Sequence, residues 1–79
     1  SKQVINFVAP NCSFCKEQLP IVDKVAIERA SSHRFIQVSP KLSPEIVELS
    51  PTVDWIEDKD GKLRTLFKVS GYPTLFIID

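Results

Sequence analysis

Cys12 and Cys15 are the only cysteines of the chain. They lie where the run Val-Ile-Asn-Phe-Val-Ala-Pro-Asn-Cys-Ser-Phe-Cys, Val4 to Cys15, gives way to a helical pattern. A lone pair at this spacing has to be explained by itself, without a larger disulfide framework or a four-sulfur metal site. With Cys12 at a helix start and Cys15 in its first turn, the two side chains share a face and lie close enough to bridge. A thiolate at Cys12 would face unpaired backbone N–H groups and the positive end of the helix dipole, which lowers a thiol pKa and makes the sulfur nucleophilic near neutral pH. Reversible dithiol–disulfide exchange is the chemistry these features imply.

The elements that must hold this pair can be read on either side of it. Val4 to Ala9 is apolar except for Asn6, which predicts a strand buried on both faces, ended by Pro10 and Asn11. Leu19, Val22, Val25 and Ala26 recur at helical spacing while Lys16, Asp23, Lys24 and Glu28 face away, predicting an amphipathic helix to about Ala30, kinked at Pro20. Ser31-Ser32-His33 reads as a polar connection, and Phe35, Ile36 and Val38 as a second strand ending before Pro40. Strand, helix, strand in that order predicts a parallel pair with a right-handed crossover.

Further along, Ser43-Pro44 has the form of an N-cap followed by proline at the first helical position, opening a short helix that Ser50-Pro51 closes. Val53 to Ile56 reads as a strand leading into the turn Asp58-Lys59-Asp60-Gly61. Beyond it Leu63, Leu66 and Phe67 have helical spacing, although Asp60-Gly61 between apolar runs also suits a hairpin. After Gly71-Tyr72-Pro73-Thr74, the run Leu75-Phe76-Ile77-Ile78 predicts another strand buried on both faces.

Composition bounds the function. At 79 residues and 43% hydrophobic, the chain has room for one small domain, residues 1–79, with a single core and little stability margin. Ten basic residues balance ten acidic ones with no basic block, which argues against a nucleic-acid surface. No apolar stretch reaches the roughly 18 residues of a membrane span, and no signal-peptide pattern is seen. Zinc needs four ligands, and His33 is the only histidine, so two chains would have to share a metal. A purely structural bridge is the other bland reading of the cysteines, but so short a loop restricts the unfolded chain little. His33 is assigned no role, and Trp55 and Phe67 read as packing residues. Lys16 and Glu17 suit either a solvated face or a field at Cys12.

A strand, a Cys-x-x-Cys at the next helix start and a later Gly-Tyr-Pro-Thr entering another strand together resemble the thioredoxin superfamily over nearly the whole chain. Asp58-Lys59-Asp60-Gly61 followed by Val69-Ser70-Gly71-Tyr72-Pro73-Thr74, with Lys16-Glu17-Gln18-Leu19-Pro20 after the second cysteine, is most similar to the TlpA/ResA-like branch. The resemblance implies an α/β fold, a thioredoxin-like central sheet flanked by helices. It also implies a thiol–disulfide oxidoreductase acting on protein substrates, in which Cys12 attacks, Cys15 resolves, and Pro73 is cis and faces the sulfurs. A cis proline turns the chain sharply and removes a competing N–H, and the backbone of Tyr72 could then hold an extended substrate as an added strand. An ordinary trans proline at a strand start is the plainer reading of Pro73.

By this resemblance no cofactor is needed, and the partners are protein thiols or disulfides and a redox partner protein. The branch is usually anchored on the outer, periplasmic side of a bacterial cytoplasmic membrane; the sequence itself gives no compartment. The rival from another class is a non-catalytic thioredoxin-like domain that binds partners in the groove around Tyr72 and Pro73. Asn11 replaces the aromatic residue common before the first cysteine, Ser13-Phe14 replaces the usual proline-containing pair, and Asn6 stands where thioredoxins proper bury an acid. The family's last strand and helix have no counterpart before Asp79. The expectation is therefore a piece of a larger protein, or a domain whose apolar sheet edge self-associates or is completed by another chain.

Overall fold

Parallel pairing follows from the helical segment between the first two strands, and the computed structural model, which describes residues 2–79, shows it. Strand β1 (Lys2–Phe7) pairs in parallel with β2 (His33–Ser39), and β2 with β3 (Asp54–Glu57), while β4 (Thr74–Ile78) runs antiparallel on the other side of β1. The sheet order is β3-β2-β1-β4. Helix α1 (Ser13–Glu28) connects β1 to β2, α2 (Pro44–Val47) lies between β2 and β3, and α3 (Lys62–Leu66) between β3 and β4.

Alternation along the strands divides the core into two layers. Phe7, Ile36, Val38 and Val69 form one, with Ile5, Leu63, Phe67, Tyr72 and Phe76 packed against it. Its centre is a trio of rings, Phe7, Phe67 and Phe76, with centroids 5.3 to 5.9 Å apart. On the opposite face Val8, Cys15, Leu19 and Ile46 are each fully buried, with Cys12, Val47, Leu49, Trp55 and Tyr72 against them. That layer contains Cys15 and lies against Cys12.

The end of α3 is built for a sharp change of direction. Asp58 accepts the Leu63 and Arg64 N–H groups through its two carboxylate oxygens, each at 3.0 Å, in the manner of an N-terminal cap. At the other end Lys68 takes the left-handed conformation (φ 56°), with Lys68 N–H donating to Thr65 and Val69 N–H to Arg64. This pair of bonds closes the helix and buries Val69. The segment after Gly61 is thus a helix, and the hairpin alternative is not taken.

Several expectations need correction. β1 begins at Lys2 and ends at Phe7, and α1, which contains Pro20, stops at Glu28. His33 opens β2 instead of lying in the connection before it. Asp23 is partly buried and receives hydrogen bonds from Ser50 and Thr52, whereas Val25, expected on the apolar face of α1, is exposed, as is Leu66 in α3. β4 is not buried on both faces: Phe76 points into the aromatic layer while Leu75 and Ile77 are exposed. Leu75 and Ile77, with Val4, Val25, Phe35, Arg29 and His33, line an open groove of about 380 Å³. No strand or helix follows β4 among the described residues, and no described helix is long and apolar enough to cross a membrane.

Candidate functional site: a cysteine pair at the start of α1

β1 delivers its chain end into a tight turn. Val8 N–H still bonds to Val38 across the sheet at 2.9 Å, and Cys12 N–H then reaches back to the Ala9 carbonyl at 3.3 Å. Cys12 occupies the N-cap with extended backbone (φ −102°, ψ 108°), its carbonyl accepting the N–H of Lys16. Its Sγ accepts the Cys15 N–H at 3.1 Å, so the sulfur does what a serine or aspartate oxygen does at other helix starts. The first turn of α1 contains no acidic residue to offset the positive field there.

Cys12 and Cys15 are joined by a disulfide, with Cα atoms 5.2 Å apart, inside the range that bridges without moving backbone. Their environments differ. Cys15 has no exposed surface and packs with Val8, Leu19 and Ile46, while Cys12 is partly exposed beside the exposed Asn11, Ser13 and Phe14. A partner can therefore reach one sulfur only. Among the described residues no group of three or more His, Cys, Asp or Glu side chains is gathered to hold a metal.

The Gly71–Thr74 turn arrives at the same end of the sheet. Thr74 pairs with Phe7, the last residue of β1, and its Oγ1 donates to the Gly71 carbonyl at 2.6 Å. The Tyr72–Pro73 peptide bond is cis. Tyr72 is partly buried and packs against both core layers, including the one that holds Cys15, while the Arg64 guanidinium lies 5.8 Å from its ring centroid. Topology and packing thus bring Tyr72 and Pro73 to the end of the molecule that carries Cys12 and Cys15.

Lys16, the residue after Cys15, donates to Glu45 at 2.7 Å and so ties α1 to α2. The Lys16 hydrogen bond, reinforced by its charge, holds the Glu45 carboxyl below its ordinary 4.5. Asn6 is buried, with Nδ2 donating to Gln18 of α1 at 3.1 Å and to Gln37 of β2 at 2.8 Å. Helical and strand spacing alone do not mark Gln18 or Gln37 as partners of Asn6. Gln37, a lone amide inside Phe35-Ile36-Gln37-Val38, was the one available signal.

This fold is thioredoxin-like, similar to that of solved thiol–disulfide oxidoreductases and a thioredoxin. DsbF of Mycobacterium tuberculosis, seen in mixed oxidised and reduced forms, superposes with a TM-score of 0.88 at 27% identity over 100% of this chain and 63% of that one. The exposed lipoprotein thioredoxin Etrx1 of Streptococcus pneumoniae gives 0.84 at 26% identity, over 100% of this chain and 67% of its own. A secreted Mycobacterium tuberculosis disulfide oxidoreductase homologous to Escherichia coli DsbE gives 0.82 at 18% identity, over 98% and 67%. The chain thus spans 63–67% of the length of these solved chains. No family model and no curated protein sequence matches it.

Proposed function

We propose that the chain carries the active site of a protein thiol–disulfide oxidoreductase. The observation that carries this reading is the asymmetry of the Cys12–Cys15 disulfide, one sulfur partly exposed at the N-cap of α1 and the other fully buried. In the reduced form, the Cys12 thiolate, stabilised by the Cys15 N–H and the helix field, attacks one sulfur of a substrate disulfide. That bond breaks, a mixed disulfide forms at Cys12, and the displaced substrate sulfur leaves as a thiolate. Cys15, having given up its proton, attacks Cys12 Sγ and releases the second substrate thiolate. The substrate leaves as a dithiol and the Cys12–Cys15 disulfide remains, to be reduced by a partner protein.

Tyr72 and Pro73 flank the exposed sulfur in this reading and offer backbone to an extended substrate segment. The secreted M. tuberculosis protein and the exposed pneumococcal lipoprotein support an extracytoplasmic setting for this chain too. Reduction of insulin disulfides by a small-molecule thiol is the test. The protein should accelerate it and Cys12→Ser should not; absence of any acceleration leaves a partner-binding domain in its place.

A further inference from the structure

Under α1 a line of polar side chains crosses the sheet face, and each link fixes the direction of the next. The Asp23 carboxylate can only accept, and its Oδ1 receives Thr52 N–H at 3.0 Å, Thr52 Oγ1 at 2.6 Å and Ser50 Oγ at a longer 3.4 Å. Having given its one proton to Asp23, the Ser50 hydroxyl accepts from Gln37 Nε2, also at 3.4 Å. Gln37 therefore turns its Oε1 toward Asn6, which answers with Nδ2 at 2.8 Å. The second Nδ2 proton goes to Gln18 Oε1 at 3.1 Å. Flipping the Asn6 amide would set its oxygen against Gln37 Oε1, so the orientation of Asn6 follows from that of Gln37.

One atom is left over. Asn6 Oδ1 is buried and has no hydrogen-bond donor among the described residues. Buried acceptors are nearly always paired, and an orphan calls for a reason. Gln18 lies one helical turn after Cys15, and Val8, just beyond β1 and two residues on from Asn6, packs in the layer that holds Cys15. Asn6 thus sits beneath the stretch of α1 between Cys15 and Gln18. In the disulfide, Cys15 Sγ has no proton to give; in the dithiol it has one.

We propose that Asp23, Ser50, Gln37 and Asn6 form a positioning relay that reserves Asn6 Oδ1 as the hydrogen-bond acceptor for the Cys15 thiol in the reduced protein. A bond made only in the dithiol state favours that state. In the exchange with glutathione the Cys12–Cys15 bond breaks, two glutathione thiols give up one electron and one proton each, and their sulfurs join. The protons end on Cys12 and Cys15, the latter on the relay. This effect on the equilibrium rests on the exchange chemistry proposed above, whereas the hydrogen bond itself does not.

The S–H stretching band of the Cys12→Ser protein, whose only thiol is Cys15, reads the bond directly. The band should lie below that of an unbonded thiol, and Asn6→Leu should move it up. Ser50→Ala, which frees Gln37 to turn over, should split it or move it part of the way. In the protein with both cysteines, Asn6→Leu should lower the equilibrium constant for reduction by glutathione about three- to tenfold, as loss of one net hydrogen bond implies, with a smaller shift of the same sign for Ser50→Ala. A Cys15 band at the unbonded position overturns the relay, and that measurement needs no Asn6 variant to fold. So does a lowered band that neither substitution moves, which would mean that the thiol bonds to backbone or water. Failure to reduce insulin alongside the expected band would sink the exchange reading and leave the hydrogen bond standing.

Discussion

β1 and β4 lie side by side, each carries apolar residues, and those residues end in opposite environments. Val4 and Phe7 of β1, and Val8 just beyond it, are at most 5% exposed, whereas Leu75, Ile77 and Ile78 are 42%, 63% and 40% exposed. β1 has a strand on each side and packed residues on both faces; β4 has one neighbouring strand and one covered face, where Phe76 meets Phe7 and Phe67. Composition made both segments strands, but burial was decided by what surrounds them. The cysteine pair follows the buried end of β1, so the site rests on fully buried residues.

Truncation on the two sides should break this comparison open. Leu19→Ala removes a fully buried side chain from the layer under Cys15 and should cost about 2–5 kcal/mol in urea denaturation. Ile77→Ala on the open face of β4 should stay within about 0.5 kcal/mol of the parent. Equal costs would mean that the outer face of β4 is covered in solution.

Asn6→Asp sharpens the contrast by placing an ionisable group inside the buried layer. Asn6 gives both Nδ2 protons to carbonyl oxygens, so a carboxylate there would meet two acceptors and lose its solvation. Its folded-state pKa should rise above the unfolded ~3.9, so the penalty is small in acid and grows as pH climbs through the unfolded value toward the folded one. Denaturant melts should show a loss roughly 2–4 kcal/mol greater near pH 8 than near pH 3. A pH-independent difference would move Asn6 out of the core.

Smaller effects are expected on the periphery. Asp58→Ala leaves the Leu63 and Arg64 N–H groups unpaired and should cost about 0.5–2 kcal/mol, visible as earlier loss of α3 in hydrogen exchange. Glu45→Gln should matter least, because the Lys16–Glu45 pair is solvent-screened. The Glu45 pKa is depressed in the folded state, so the pair's contribution is present above the ordinary 4.5 and disappears as pH falls through the lowered value. Parent and variant should differ slightly at neutral pH and converge in acid; a constant offset would assign the effect to packing.

The strands, α1 and the N-cap role of Cys12 were legible because they rest on local signals: apolar runs, helical spacing, and a pair of cysteines at the junction. Ser43 and Pro44 stand at the N-cap and the start of α2 as their order suggests, although the Ser43 hydroxyl makes no capping hydrogen bond. What stayed hidden depends on contacts distant in sequence. Nothing local distinguishes Asp23, which bonds to Ser50 and Thr52, from a solvated helix acid, and nothing in Leu75-Phe76-Ile77-Ile78 says that only one face will be covered. Asp58 was legible as a turn residue, but its use of both oxygens to cap α3 required the fold.

In the proposed exchange, burial divides the labour between two chemically identical thiols, and trapping measures that division. Cys15→Ser and Cys12→Ser proteins are each reduced, incubated with a disulfide-bonded protein, quenched with acid and separated without reductant. Cys15→Ser should accumulate a mixed disulfide through Cys12, because attack remains and resolution is lost, and Cys12→Ser should form none. Trapping by Cys12→Ser alone, through the sulfur the fold buries, would contradict the account.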